Sequence, residues 1–279
     1  MNQRQLYQWV RKTSKTWTGV TRHFRENVVV FSGGVVRARS SQLRKIAGCV
    51  QGNRDSQRRR LQRFVAGEQG LEAFFRGWTG SVVSGLNAHQ VVLVVDETKL
   101  KGQFGVMVVG MVFEGRCIPL AWRVYRANCH ADYPAEGQAR MIIRLLKQVR
   151  AGLPQGTSVR VLADRGIGTS PLLLRGISAL GWTFLVRVTK QSKIILADGT
   201  EVTFFEQVQQ PGQGYCASGL VFKKRGRIPA HVRVLWRQDA QERWALVTND
   251  PQLQGWEYAQ RMWIEEAFRE LKSHGWQVE

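Results

Sequence analysis

Residues 91–98 are Val-Val-Leu-Val-Val-Asp-Glu-Thr, an apolar run of five residues that ends in an acid. An uninterrupted run of this kind is typical of a strand buried on both faces of a sheet. Residues 159–164, Val-Arg-Val-Leu-Ala-Asp, form a similar segment that also ends in an aspartate. Because ligand crevices in α/β sheets open at the carboxyl ends of the strands, we expect Asp96 and Asp164 just past two strand ends, at one crevice.

Strand and helix patterns alternate around these two segments. Strands are predicted at residues 104–112, 116–125 and 183–188 from their β-branched and aromatic content. An amphipathic helix is predicted over 136–150, and a shorter helix follows Pro171. The order β-β-β-α-β-α-β predicts an α/β fold.

The segments before and after this core differ in character. Residues 1–89 have helical spacing of apolar residues, whereas residues 190–250 contain several short strand patterns separated by turns and are predicted to be all-β. After residue 250 the chain returns to a single helix, predicted over 256–273. We therefore expect four segments. These are a helical region at 1–89, the first part of the core at 90–189, a β-rich insertion at 190–250 and a C-terminal core helix at 251–279.

Charge is distributed unevenly along the chain. The net charge is +20, and residues 1–90 carry 16 Lys+Arg against 4 Asp+Glu. Such a surplus is typical of a protein that binds a polyanion, most often nucleic acid. No apolar run approaches the roughly 18 residues that cross a bilayer, and no export signal is recognisable, so we expect a cytoplasmic protein without a membrane partner. The four cysteines form no CxxC pair and indicate neither zinc nor disulfides.

One helix of the basic region carries three consecutive arginines. Its apolar stripe is predicted to be Leu61, Phe64 and Val65, which leaves the arginines on the outer face. Two interpretations stay open for that face, a solvated surface or a surface that contacts phosphates. The three residues are Arg58, Arg59 and Arg60.

The C-terminal helix carries a regularly spaced polar set. Tyr258, Arg261, Glu265 and Lys272 follow one another at steps of 3, 4 and 7 residues, all near whole helical turns, so they share one face. Glu266 points about 100° away around the helix. Glu265 could pair with Arg261 or with a later arginine, which is the structural alternative to a role in chemistry.

Three carboxylates brought together need cations to stay ionised. Asp96, Asp164 and Glu265 would form such an oxygen-rich cluster, and hard oxygen ligands suit Mg²⁺ or Mn²⁺. Two such ions can activate a water or a 3′-hydroxyl on one side of a phosphate and stabilise the leaving oxygen on the other. Each aspartate taken alone could instead be an ordinary loop cap.

Taken together, these motifs resemble those of the DDE transposases of bacterial insertion sequences. The chain has Tyr258-x2-Arg261-x3-Glu265-x6-Lys272, the signature of the insertion sequence four type, after Asp96 in Val-Val-Asp-Glu-Thr and Asp164 in Leu-Ala-Asp-Arg-Gly. The resemblance covers about residues 85–279. It implies a ribonuclease-H-like catalytic core that is interrupted by the β-rich insertion and preceded by the α-helical region.

The resemblance also implies roles for individual residues. Asp96, Asp164 and Glu265 would be the catalytic residues and would hold two Mg²⁺ ions, with Mn²⁺ as a substitute. Many relatives have a tryptophan directly after the signature arginine, whereas here Met262 holds that place and Trp263 follows. Trp236 and Trp244 are alternative stacking platforms for an unpaired base, and a place in the β-core is the competing interpretation. The DNA-binding residues would be Tyr258, Arg261, Lys272, Arg165, Thr98, Arg58, Arg59 and Arg60.

The expected function is cut-and-paste DNA transposition. The protein would bind double-stranded DNA at terminal inverted repeats, cut there, and join the freed 3′-OH to target DNA as a homodimer in the bacterial nucleoid. The chain stops 14 residues after Glu265, where relatives continue, so a shortened copy that occupies the ends without cutting and acts as a repressor is an alternative. A general nuclease of the same fold is a third.

Overall fold

The structure is a computed structural model that describes residues 3–67, 70–129, 131–222 and 226–274. The chain divides into two compact units. A helical unit comprises residues 1–88, 148–155 and 268–279, and a sheet unit comprises residues 89–147 and 156–267. None of the helices within the described ranges is long and apolar enough to cross a membrane.

The helical unit is built on amphipathic helices with side-chain caps. Thr21 accepts a hydrogen bond from the backbone of Phe24 at the start of the second helix, and Asn53 accepts from Asp55 and Ser56 at the start of the fourth. Such caps satisfy backbone N–H groups that a helix start otherwise leaves unpaired. The helices are α1 (Gln3–Ser14), α2 (Arg22–Ala38), α3 (Leu43–Gly48), α4 (Arg54–Ala66) and α5 (Leu71–Gly85).

A small apolar core holds α2, α3 and α4 together. Ile46, Ala47 and Leu61 are fully buried at its centre. Gly34 allows the close approach of α2 to α3, because a Cβ there would lie 2.5 Å from a methyl group of Ile46. The prediction that Val65 belongs to the buried stripe is wrong, since 51% of this residue is exposed.

The first five strands of the sheet unit form its α/β core. The three strands of the β1–β2–β3 meander are antiparallel, while β4 pairs in parallel with β1 and β5 in parallel with β4. Helices α6 (Gly137–Gly152), α7 (Arg165–Gly168) and α8 (Pro171–Ala179) connect the later strands. The predicted order of strands and helices is therefore confirmed. The strands are β1 (Gln90–Leu100), β2 (Phe104–Phe113), β3 (Arg116–Arg126), β4 (Ser158–Ala163) and β5 (Thr183–Arg187).

The strands that follow extend the same sheet. The order across it is β3-β2-β1-β4-β5-β10-β9-β8-β6-β7, and β10 pairs antiparallel with β5 through Leu246 and Arg187. One of these strands ends at Thr203, because Phe204–Gln207 forms a 3₁₀ helix whose Phe204 is buried. The added strands are β6 (Lys193–Ile195), β7 (Glu201–Thr203), β8 (Gly214–Val221), β9 (Ile228–Leu235) and β10 (Trp244–Thr248).

The last helical segment is not one continuous α-helix, contrary to the prediction for residues 256–273. It begins as a 3₁₀ helix, Trp256–Arg261, continues as α9 (Met262–Arg269) and ends in a π-helical turn, Glu270–His274. Gly255 precedes it with φ +102°, a conformation that other residues rarely adopt. A 3₁₀ helix has three residues per turn, so Tyr258 and Arg261 still project from the same side.

Candidate active site

Asp96 lies inside β1, at the point where the parallel ladder ends. Val95 pairs with Ala163 as the last partner on β4, whereas β1 continues alongside β2 as far as the pair Leu100 and Phe104. The prediction that Asp96 follows the strand end is therefore wrong, because the β1–β2 hairpin prolongs β1 beyond its parallel neighbour. Asp96 is 9% exposed, and its Oδ1 accepts a hydrogen bond from the N–H of Glu97 at 2.9 Å.

Asp164 follows β4 directly, as expected. Since Val95 and Ala163 are register partners, Asp96 and Asp164 are the next residues on two neighbouring strands. The Oδ1 atom of Asp164 accepts a hydrogen bond of 3.1 Å from the N–H of Ile167, so this carboxylate also caps the short helix α7. The loop-cap interpretation of Asp164 describes one contact of this side chain correctly.

Arg261 bridges two of the three predicted acids. Its Nη2 lies 2.7 Å from Oδ2 of Asp96, and its Nη1 is hydrogen-bonded to Oε1 of Glu265. The arginine and aspartate side chains are 17% and 12% exposed, whereas Glu265 is 54% exposed. The helix spacing therefore brings Arg261 and Glu265 to one place, and Arg261 contacts carboxylates there. Glu266 is half-buried instead of solvated.

The protonation of Asp96 is governed mainly by its burial. Burial raises the pKa of the Asp96 carboxyl to about 6, and the nearby charges of Asp164 and Glu265 raise it further, while Arg261 lowers it. A carboxylate at such a site binds a cation readily, because a cation removes the cost of its charge. Within the described ranges, no three His, Cys, Asp or Glu side chains already form a group that could hold a metal ion. The guanidinium of Arg261 lies between Asp96 and Glu265.

Tyr258 is packed into the sheet unit. It is 5% exposed, and its ring lies edge-on to Trp244 of β10, with centroids 5.3 Å apart. Burial raises the pKa of the Tyr258 phenol. Trp236 lies in the loop between β9 and β10 and donates its indole N–H to the carbonyl of Ala240 at 3.0 Å. The guanidinium carbon of Arg243 lies over its ring, 5.1 Å from the centroid. Both tryptophans therefore occupy structural positions here.

Thr98 and Arg165 differ in their exposure to solvent. Thr98 is 7% exposed and lies two residues after Asp96, on the same face of β1. Arg165 is exposed at the first position of α7. Trp263 packs close to Gly115 of the β2–β3 turn, where a Cβ would meet the indole at 3.2 Å.

The remaining predicted DNA-binding residues belong to the helical unit. Lys272 lies in the π-helical turn. Of the three consecutive arginines in α4, Arg59 is exposed, whereas Arg58 and Arg60 are half-buried. Arg60 donates from Nε to Oδ1 of the buried Asn27 at 2.6 Å, because this side of α4 faces α2. The prediction that all three occupy the outer face is therefore wrong for Arg60, whereas the side chain of Arg58 is 43% exposed and pairs with Asp55 of the same helix.

Two buried polar residues beside the site were missed in the sequence. Arg233 of β9 is 8% exposed and Glu257 of the 3₁₀ helix is 9% exposed, and both bind the backbone that leads into this helix. The detectable signal for Arg233 is a single arginine inside the apolar strand segment Val232-Arg233-Val234. No comparable pattern marks Glu257.

A mixed sheet with acids at the end of its parallel strands defines an α/β protein with a candidate acidic active site. The chain belongs to the transposase DDE domain family, whose model matches residues 90–279. This membership implies a ribonuclease-H-like core and phosphoryl transfer on DNA. The chain is therefore a transposase-type protein with DNA as its partner.

Similar solved structures include two of human endonuclease V. One shares 16% identity over 62% of this chain and 74% of that chain, with a TM-score of 0.31. The other, a catalytic domain with four cysteines replaced, shares 14% identity over 62% of this chain and 72% of that chain, with a TM-score of 0.32. No curated protein sequence matches the chain significantly.

Proposed function

We propose that this protein is a DNA transposase that cuts at terminal inverted repeats and transfers the freed 3′-hydroxyl to target DNA. The observation that carries the proposal is the shared guanidinium of Arg261, which joins Asp96 and Glu265 beside Asp164 within a transposase DDE domain. Acids that hold a cation at the end of parallel strands suit a phosphate substrate, whose own charge must be neutralised in the same place.

Divalent ions are the cofactor that the donor chemistry of these acids suits, although the three carboxylates do not form a metal-holding group in the described structure. We assign Asp96, Asp164 and Glu265 as the ligands of two Mg²⁺ ions, with Mn²⁺ as a substitute. The donor chemistry supports this, because carboxylate oxygens are hard ligands and the buried Asp96 gains most from a strong cation, having a pKa of about 6. When bound, such ions polarise the phosphate and lower the pKa of the attacking hydroxyl.

The basic residues of the site bind and orient the DNA backbone in this proposal. Arg261 can exchange its two carboxylate partners for two phosphate oxygens, since its planar fork suits both kinds of acceptor. Thr98 and Arg165 orient oxygens next to Asp96 and Asp164. Lys272 supplies a further point charge. Tyr258, being buried, supports the position of Arg261 from the same side of the helix.

We assign DNA-end binding to the helical region, residues 1–89, and catalysis to the core at 90–189 and 251–279, with the insertion at 190–250 between them. Arg59 is the exposed member of the three consecutive arginines in α4 and suits a phosphate contact, whereas Arg60 is bound to Asn27 within the unit. Concerted cutting of both ends calls for a homodimer bridged by DNA in the bacterial nucleoid.

A cleavage assay tests the proposal. Purified protein is incubated with DNA that carries the element's ends and with Mg²⁺, and single-strand nicks at the end boundary are expected. Asp164→Ala should abolish cutting while end binding stays within a few-fold. A protein that binds the ends without nicking them would be the repressor, and one that cuts all DNA equally would be a general nuclease.

A further inference from the structure

A buried arginine of the insertion holds the segment that leads into the candidate active site. Arg233 lies on β9 between its neighbours β8 and β10, and only 8% of it is exposed. Its Nη2 donates to the carbonyl of Pro251 at 2.7 Å and its Nε to the carbonyl of Leu253 at 2.9 Å. Its Nη1 donates to the carbonyl of Val232 at 3.0 Å. All three acceptors are main-chain carbonyls.

Burying the Arg233 guanidinium within the sheet costs free energy. Removing a charge from water costs several kcal/mol unless its N–H groups are satisfied in good geometry. A leucine or valine would fill the position within an apolar strand without that cost. The hydrogen bonds to Pro251 and Leu253 are therefore the property that an apolar residue could not supply.

The same segment is held from its other end by Glu257. The carboxylate of Glu257 accepts hydrogen bonds from the N–H of Gly255 at 2.8 Å and from that of Gln254 at 3.3 Å. Gly255 is also pressed against the sheet, because a Cβ there would lie 2.7 Å from a methyl group of Leu235 and 3.4 Å from the Cβ of Arg233. Residues 251–257 are thus held in three ways. Arg233 binds two of their carbonyl groups, Glu257 binds two of their N–H groups, and Gly255 packs closely against the sheet.

This segment runs directly into the 3₁₀ helix that carries Tyr258 and Arg261. Tyr258 is the third residue after Gly255, and its N–H donates to the Gly255 carbonyl at 3.2 Å. A second contact comes from β10, where Trp244 packs edge-on against Tyr258. The helical segment that carries Tyr258, Arg261 and Glu265 is the signature helix. Its start is therefore bound by two strands of the insertion, β9 through Arg233 and β10 through Trp244.

We propose that Arg233 is a positioning residue for the reaction. It fixes residues 251–255, and through them the start of the helix, so that Arg261 and Glu265 meet Asp96. The insertion then has a definite task, which is to hold the helix that completes the acidic site. The effect on cleavage rests on the proposed function, while the effect on the segment itself does not.

The test compares three variants of the full chain. Arg233→Met keeps the length of the side chain and removes its hydrogen bonds, and Arg233→Lys keeps one donor group. The matched control is Arg243→Met, because Arg243 also donates to two carbonyls within the insertion, those of Phe205 and Val208, but these do not lead into the signature helix. Hydrogen exchange of residues 251–261, DNA-end binding and single-turnover cleavage at saturating DNA and Mg²⁺ are measured for each.

For Arg233→Met, exchange in 251–261 is expected to become at least about tenfold faster. Cleavage is expected to slow by about 10- to 100-fold at unchanged end affinity, because misplacing a helix by about 1 Å is enough for such a loss. Arg233→Lys should fall between this variant and the unaltered chain. Arg243→Met should leave both exchange in 251–261 and cleavage within about threefold, because its two carbonyl partners, those of Phe205 and Val208, lie outside residues 251–257.

Two outcomes would overturn the proposal. In one, exchange in residues 251–261 is unchanged in Arg233→Met; in the other, Arg243→Met slows cleavage as much as Arg233→Met does, which would indicate general destabilisation. If Arg233→Met does not fold, Glu257→Gln replaces it, since it weakens the hold on the N–H groups of the same segment and carries the same expectations. If the unaltered protein does not cleave DNA, the proposed function fails, and the exchange measurement still decides the positioning role.

Discussion

Arg261 Nη2 and Asp96 Oδ2 lie 2.7 Å apart, although the two residues are 165 positions apart in the chain. The same guanidinium also binds Glu265, so one cation neutralises two acids from different parts of the fold. A guanidinium at this position competes with any divalent ion for the same oxygens. In the protein without DNA, Arg261 therefore serves as the counter-ion of these two acids. A DNA phosphate is the partner that could bind Arg261 in their place.

The first prediction concerns divalent binding in the absence of DNA. Arg261→Ala removes the competing guanidinium, so we expect Mn²⁺ to bind about tenfold more tightly, equivalent to about 1.4 kcal/mol. Calorimetric titration of the DNA-free protein measures the change. Arg237→Ala is the control, because Arg237 pairs with Asp239 at an exposed turn and should leave the affinity unaltered. Equal Mn²⁺ affinity of Arg261→Ala and the unaltered protein would argue against competition.

The second prediction concerns pH and Asp96. Its pKa is about 6 in the folded protein and 3.8 for an ordinary aspartate, so the fold favours the protonated form. This group therefore contributes most to stability below about pH 4 and loses that contribution as the pH rises towards 6, by at most about 3 kcal/mol. Asp96→Asn cannot ionise. Relative to the unaltered, metal-free protein, its free energy of unfolding should rise between pH 4 and 7.

Urea unfolding of both proteins at each pH, with a chelator present, measures that difference. Other titrating groups cancel in the comparison, because they are common to both chains. A difference that stays constant from pH 4 to 7 would mean that Asp96 ionises normally. Adding Mn²⁺ at pH 7 should stabilise the unaltered protein and have little effect on Asp96→Asn.

The third prediction separates two tasks of Asp164. Its carboxylate caps α7 through the N–H of Ile167, and Asp164→Asn keeps an oxygen for this contact. Asp164→Ala removes the cap and should cost about 1 kcal/mol of stability, whereas Asp164→Asn should cost little. Both should abolish DNA cleavage. Full cleavage by Asp164→Asn would reduce the role of this residue to the cap.

The fourth prediction distinguishes two neighbouring arginines of α4. Arg60→Met leaves the buried oxygen of Asn27 without its 2.6 Å donor and should destabilise the protein by about 1–3 kcal/mol. Arg59→Met should change stability by less than about 0.5 kcal/mol, but should weaken end binding and reduce the salt-dependence slope by about 1. Thermal unfolding and DNA binding at several salt concentrations measure both. The reverse ranking would place Arg60, instead of Arg59, on the DNA.

The sequence predicted the core strands well because their information is local. The hairpin strands predicted at 104–112 and 116–125 are found almost at their predicted bounds in β2 and β3, and the apolar run at 91–95 lies within β1, which extends five residues further. Helical spacing also predicted correctly that Arg261 and Glu265 meet. Family membership over residues 90–279 agrees with the resemblance drawn from the motifs.

What the sequence did not predict depends on contacts between distant segments. Asp96 lies within β1 because β1 stays paired with β2 beyond the point where its pairing with β4 ends. The residue pattern of one strand does not show how far its partner strands extend. The 3₁₀ start of the last helix follows Gly255, which lies close to Leu235 of a distant strand. Arg60 was assigned to the outer face because spacing alone does not show that Asn27 lies across from it.

Strand β5 has β4 on one side and β10 on the other, and β10 is made only after residue 243. During synthesis at about 5–20 residues per second, the nascent chain therefore carries an open edge on β5 for several seconds. Such an edge is a template for pairing with other chains, and so for aggregation. Ribosomes that stall within the insertion would release the most aggregation-prone fragments of this protein.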